Sequence, residues 1–139
     1  MSSLSRRRFL EVTALTGLGS VAAPGILRAQ SPVKIGVVYV SPMADIGWTK
    51  QHALGVQALR DTFGDKVEVT EIDNIFMPQD AERVFRELAS TGYQLIFGTS
   101  FSHGPPMQKV APDFPKVAFE HCSGIVHLDN LGTFEARYY

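Results

Sequence analysis

One cysteine, Cys122, is all the chain contains, so no disulfide can form within it. Its four histidines, His52, His103, His121 and His127, are scattered without the spacing of a metal site, and no metal is expected. Two phosphate-binding signatures are missing as well. The residues that follow the first apolar strand candidate, YVSPMADIGW, hold no G-x-G-x-x-G, and no G-x-x-x-x-G-K-[ST] occurs. A dinucleotide site and a P-loop are excluded, and no other cofactor is expected. A phosphorylated receiver domain would want an aspartate at the end of its third strand, where Thr99 stands.

Positive charge is scarce outside the N-terminus. Arg6, Arg7, Arg8 and Arg28 face only Glu11 in the first 29 residues, which leaves nine basic and 13 acidic residues beyond them. That balance argues against nucleic acid or an anionic membrane surface as the main partner. Hydrophobic residues make up 45% of the 139, enough for the core of one domain.

The arginine cluster opens an address. Ser5-Arg6-Arg7-Arg8-Phe9-Leu10 resembles the twin-arginine motif, the stretch Val12 to Ala23 is only moderately apolar, and Ala29 precedes Gln30 as a small-residue cleavage site. The alternative is a membrane-spanning helix. The apolar stretch is too short to cross ~30 Å of hydrocarbon, and Pro24-Gly25 breaks it. Residues 1–29 are therefore expected to be a signal peptide, and residues 30–139 a lobe working in a bacterial periplasm.

From residue 33 strand and helix patterns alternate. Val33 to Val40 reads as a buried strand. Thr49 is placed to cap a helix running to about Phe63, with Val56, Leu59 and Phe63 on one face. Lys66 to Ile72 alternates like a strand nearer a sheet edge. Pro78 opens a second helix whose apolar positions, Ala81, Val84, Phe85, Leu88 and Ala89, keep helical spacing up to Gly92. Gln94 to Gly98 and Lys116 to Phe119 read as strands, with a short helix from Pro105 to about Ala111 between them. Asn130 to Thr133 is a fifth strand candidate, and a helix starts near Glu135. This order predicts an α/β fold, a doubly wound parallel sheet with right-handed crossovers and helices on both faces.

Ligands of such sheets bind outside the carboxyl ends of the strands. Four loops fall on that rim: Ser41 to Trp48, Asp73 to Met77, Thr99 to Gly104, and Glu120 to Gly124. Trp48, the only tryptophan, either offers its plane to a flat ligand or folds back as a lid on the core. Asp45 is a candidate acceptor, or a loop-capping aspartate. GTSFSHG, residues 98 to 104, sets Thr99, Ser100, Phe101 and His103 between two glycines that would let backbone approach a ligand. Thr99 and Ser100 are candidate ligand donors, or caps of the helix ahead of Pro105. Ser102 occupies the place where a nucleophile elbow needs glycine, and no third group completes a triad with Ser100 and His103. Either Glu120 or His121 points into the crevice, since neighbours on a strand alternate.

Four stretches carry a family resemblance: KIGVVYVSPMADIGWTKQHALGVQAL, QDAERVFRELASTGYQLIFGTSF, PDFPKVAFEHCSG and NLGTFEARYY. In order and spacing they resemble the basic membrane protein family of ABC-transporter substrate-binding proteins, the group that includes bacterial purine nucleoside receptors. The resemblance implies two hinged α/β lobes of the type I periplasmic binding protein kind, with the ligand in the cleft between them. It places the base-stacking aromatic on Trp48 and an acidic contact on Glu120 or His121. Gly47-Trp48-Thr49 stands where relatives have Ser-Phe-Asn, which makes a free base as plausible a ligand as a nucleoside. The quoted motif FEARYY normally leads into a helix and a second lobe, so the chain is expected to be the N-terminal lobe with the second one missing.

The resemblance implies a purine-binding receptor, not an enzyme, that delivers its ligand to an ABC permease of the inner membrane and is a monomer when full length. Ligand-binding candidates are Asp45, Trp48, Thr99, Ser100, Phe101, Glu120 and His121. Two competing classes are a small hydrolase acting on nucleosides through Ser100, His103 or Glu120, and an input domain that senses the same ligand for a signalling partner.

Overall fold

The computed structural model describes residues 31–135; the expected signal peptide and the helix expected after Glu135 lie outside them. Five strands form one parallel sheet: β1 (Val33–Val38), β2 (Val67–Ile72), β3 (Leu95–Gly98), β4 (Ala118–Cys122) and β5 (Leu131–Phe134). Their order is β2-β1-β3-β4-β5. The connections are the helices α1 (Trp48–Phe63), α2 (Pro78–Ser90) and α3 (Gly104–Val110), and, from β4 to β5, a loop. Helices thus lie on both faces, as the alternation predicted, and β2 is the edge strand that its mixed pattern suggested.

Each face has its own core. Strand residues alternate between faces, so Val38, Ile96, Phe119 and Leu131 join Val84, Phe85 and Leu88 of α2 and Met107 and Val110 of α3 on one side. Ile35, Val37 and Tyr39 meet Val56 of α1 on the other. Gly36 sits where α2 comes closest: a Cβ there would stand 2.8 Å from Leu88 Cδ1. The hydroxyl of Tyr39 donates to Glu71 Oε2 at 2.6 Å, and Arg60 pairs with Glu71 Oε1 at 2.6 Å, which ties the end of α1 to the edge strand.

Boundaries moved in three informative places. The first helix begins at Trp48, so Thr49 lies inside it instead of capping it, and the tryptophan belongs to the helix rather than the loop. Strand β4 begins two residues later and ends three residues later than expected, at Cys122, because β3 and β5 supply ladder partners on both sides of Glu120 and His121. Strand β1 stops at Val38, where the chain turns towards the rim.

Gly98 closes β3 for a packing reason. A Cβ there would stand 2.5 Å from Met107 Sδ and 3.1 Å from His103 Cβ, so protein rather than ligand fills the space. Gly98→Ala is therefore expected to lower stability by about 1–3 kcal/mol through overpacking. A urea midpoint equal to that of the wild type would show that Met107 moves aside at no cost.

Candidate functional site

The strand order reverses between β1 and β3, since β2 extends the sheet on one side of β1 and β3 on the other. A doubly wound sheet opens its ligand crevice at that point. Thr99 occupies it. Both its backbone N–H and its hydroxyl donate to the Val38 carbonyl, at 3.1 and 2.9 Å, and the residue is buried. Its own carbonyl accepts a 2.6 Å hydrogen bond from Trp48 Nε1.

That bond sets the posture of Trp48. The preceding residue, Gly47, has a φ of 95°, a left-handed value that glycine reaches without strain, and it turns the loop into α1. Thr49 is buried with its Oγ1 2.6 Å from Ser41 Oγ, which pins the loop from the other side. Trp48 is half-buried, its polar edge turned inward and its ring edge-on to His52 at 4.9 Å and 70°. It is neither a wholly buried lid nor a loose loop aromatic.

The remaining loops are tied together as well. Met43 N–H donates to Asp73 Oδ2 at 2.8 Å, and Ile75 N–H to the Tyr39 carbonyl at 2.9 Å. His103 Nε2 lies 2.8 Å from the Ile75 carbonyl, and His121 Nε2 lies 2.9 Å from the Ser100 carbonyl. A carbonyl only accepts, so each Nε2 carries a hydrogen. Both Nδ1 atoms are buried without a hydrogen-bond partner among the described residues. Burial holds His103 below the ordinary histidine range, against the opposing pull of its bond to Ile75, and neighbouring His121 lowers it a little further. Gly104 and Gly124 make room for His121: a Cβ at Gly104 would come within 2.5 Å of its Cε1, and one at Gly124 would collide with its Nδ1.

The predicted site residues divide accordingly. Phe101 is 69% exposed on the rim, Asp45 is exposed, and Ser100 is half-buried with its Oγ 3.2 Å from Ser102 Oγ. Thr99 and His121 face inward, the threonine hydroxyl bonded to Val38 and the His121 Nε2 to Ser100. Glu120 is half-buried on the α1 face, where its Oε1 would stand 2.7 Å from a Cβ on Gly132, and so lies on the opposite face from His121. The imidazole that a hydrolase would recruit, His103, is turned to Ile75 and packs edge-on against Phe85 at 5.6 Å. Sequence reasoning missed the tying role of Asp73, His103 and His121, because a buried histidine and a catalytic one look alike in a sequence. It also missed the apolar side chains exposed on the same rim: Ile46, Phe76, Met77 and Ile125.

The parallel α/β sheet with its crevice at a switch point is the fold of one lobe of a periplasmic binding protein. An ABC transporter solute-binding protein from Conexibacter woesei has this fold, with a TM-score of 0.65 at 21% identity over 74% of this chain and 35% of that one. The chain belongs to the family described as ABC transporter substrate-binding protein PnrA-like, whose model matches residues 32–139. It is 42% identical over 115 residues to a purine-binding protein of Brucella abortus, covering 83% of this chain and 33% of that protein. It is 38% identical over 102 residues to a Haloferax volcanii protein provisionally named an ABC transporter glucose-binding protein, covering 73% and 26%. The chain thus spans about a third or less of the length of these relatives.

Two outcomes follow from the tied rim. Trp48→Phe leaves the Thr99 carbonyl without its donor and is expected to cost about 1–3 kcal/mol, read from the far-UV circular dichroism midpoint in urea. An unchanged midpoint would mean that water replaces the indole. His103, held neutral, resists a proton that the unfolded chain accepts near pH 6.5. Its contribution is therefore whole above that pH and fades as pH falls towards the depressed native value, by at most about 1.4 kcal/mol per pH unit. Wild type should lose more stability than His103→Gln between pH 7.5 and 5, and parallel losses would refute the assignment.

Proposed function

We propose that the chain forms the N-terminal lobe of an extracytoplasmic substrate-binding protein that captures a purine base or nucleoside for an ABC permease. The observation that carries this reading is the presence of two aromatics at the rim, Trp48 at the start of α1 and Phe101 just after β3. Phe101 stands exposed, and Trp48 is bonded to the carbonyl of Thr99, two residues before Phe101 in the chain. Aromatic planes suit a flat ligand, and stacking contributes ~1–3 kcal/mol per base in nucleic-acid binders. Polyhydroxylated sugars instead demand polar side chains with unspent hydrogen-bonding capacity. Here Thr99 is committed to Val38 and Asp73 to Met43 N–H. This favours the ligand class of the Brucella relative over that of the Haloferax one.

Asp45 and Ser100 are the polar contacts proposed for the edge of the base, with Glu120 a more distant carboxylate on the α1 side. Thr99 and His121 act in this reading by holding the rim. Residues 1–29 serve as a twin-arginine signal peptide that delivers residues 30–139 to the periplasm. There the ligand closes the lobe against a second one, the full-length protein acts as a monomer, and it hands its ligand to a permease of the inner membrane without chemical change.

Because Trp48 is the sole tryptophan, its emission reports one place. Titration with adenine, adenosine, guanosine, ribose and glucose is expected to give saturable quenching by purines and none by either sugar. Phe101→Ala should weaken purine binding about tenfold, within the stacking range. Saturation by glucose with indifference to purines would refute the reading, and conversion of adenosine to adenine during the titration would favour the hydrolase.

A further inference from the structure

Phe101 stands on a short turn, residues 100–103, between the end of β3 and α3. Its side chain is mostly exposed, so its posture is set by the backbone beneath it. The turn closes on itself: His103 N–H donates to the Ser100 carbonyl at 3.0 Å, and Ser100 Oγ lies 3.2 Å from Ser102 Oγ. Beyond itself and the α3 helix it leads into, two hydrogen bonds tie the turn to other elements among the described residues. Both come from imidazoles. His121 of β4 donates from Nε2 to the Ser100 carbonyl at 2.9 Å, and His103 donates from Nε2 to the Ile75 carbonyl, in the loop after β2, at 2.8 Å. The residue before Phe101 and the second one after it are thus each joined through a histidine to a different neighbour.

Both rings are almost wholly buried, and neither Nδ1 has a hydrogen-bond partner among the described residues. A second proton would leave the Nε2 bond in place but set a charge and an unmet Nδ1–H donor in the core. The ring gains by turning out to water, and its tie to the carbonyl is lost with it. Burial, and to a lesser degree neighbouring His121, hold His103 below the ordinary histidine range against its bond to Ile75. The charges on the elements packed around the pair are engaged elsewhere. On α2 and α3, Glu82 pairs with Arg86 and Lys109, Arg86 also with Asp113, and Arg83 with Glu87. In the loops, Asp73 takes the Met43 N–H and His127 Nε2 lies 3.2 Å from Thr133 Oγ1. Asp80 and Asp129 are exposed, and Glu120 serves the opposite face.

We propose that His103 and His121 are positioning residues for the ligand: as a pair they hold the Phe101 turn in the posture the crevice needs, and uptake of a proton by the pair loosens the turn, so that ligand and proton compete. The inference rests on the purine reading of the site and gives the crevice an acid-operated release. The tied turn binds fewer protons than the loosened one. Affinity is therefore whole above pH 6.5 and falls as pH drops towards the depressed value of His103, by at most about tenfold per pH unit for each proton.

The test uses the full 139-residue chain, adenine as ligand, and titration calorimetry in two buffers of different protonation enthalpy, which counts the protons exchanged on binding. Wild type should bind adenine with no proton exchange at pH 7.5, and at pH 5 should release protons and bind about fivefold more weakly or worse. Glutamine keeps an N–H for each carbonyl and cannot titrate. His103→Gln and His121→Gln should each bind within about threefold of wild type at pH 7.5 and release fewer protons at pH 5. A merely structural role would lower their urea midpoints and leave the proton count as it was. Adenine affinity and proton count that do not vary with pH in wild type would overturn the inference and leave the purine reading standing. Proton release unchanged in both glutamine variants would do the same. Should neither variant fold, His52→Gln/His127→Gln decides, because His103 and His121 are then the only histidines. Proton release retained there supports the pair, and its loss overturns it. No adenine binding by wild type at pH 7.5 would overturn both the inference and the purine reading.

Discussion

The hydrogen bonds that converge on Thr99 hold the rim in place. Val38 is the last residue of β1, and its carbonyl takes both donors of Thr99, while the carbonyl of Thr99 takes the indole of Trp48. One buried residue thus joins the end of β1, the end of β3 and the start of α1. This happens at the one place where a parallel sheet reverses its winding and would otherwise gape. Thr99 is shut away from water, which therefore competes poorly for its bonds to Val38.

The two faces of the sheet serve the rim differently. On the α2 and α3 side, His103 and His121 reach up from the core to carbonyls of neighbouring loops, and burial holds His103 below the ordinary histidine range. On the α1 side ring edges meet from Trp48 through His52 of α1 to Phe134 of β5. Glu120 and His121 are adjacent in the chain yet serve opposite faces, which follows from the pleat of β4. A mechanically coherent rim of this kind suits a lobe that must present one fixed surface to a ligand.

Much of the scaffold was legible in the sequence because its signals are local. The spacing of Ala81, Val84, Phe85, Leu88 and Ala89 gave α2 almost to the residue, helped by Pro78 at its first turn. The β-branched run at residues 33–38 gave β1, and the alternation of KVEVTEI gave an edge strand. The strand β4 was displaced because Glu120 and His121 are poor strand formers, and only the ladders on both sides of them keep them extended. The candidate site was legible as a set of loops and less so as a set of roles. Asp45, Trp48, Ser100 and Phe101 fell on the rim as expected, while Thr99 and His121 were drawn inward to hold it together.

The sequence by itself determined the elements, their alternation and the family, since periodicity, caps and quoted motifs are properties of neighbours along the chain. It also determined which loops share the rim, because the winding of a parallel sheet leaves little choice. Only the tertiary structure decided which side chains on those loops are spent on the protein and which face outward. Whether a threonine, a histidine or an indole offers its polar edge to a ligand depends on the carbonyl that lies within 3 Å of it, and that carbonyl comes from residues 21 to 61 positions away. Hydrogen bonds of that span are set by packing, and no local pattern encodes them.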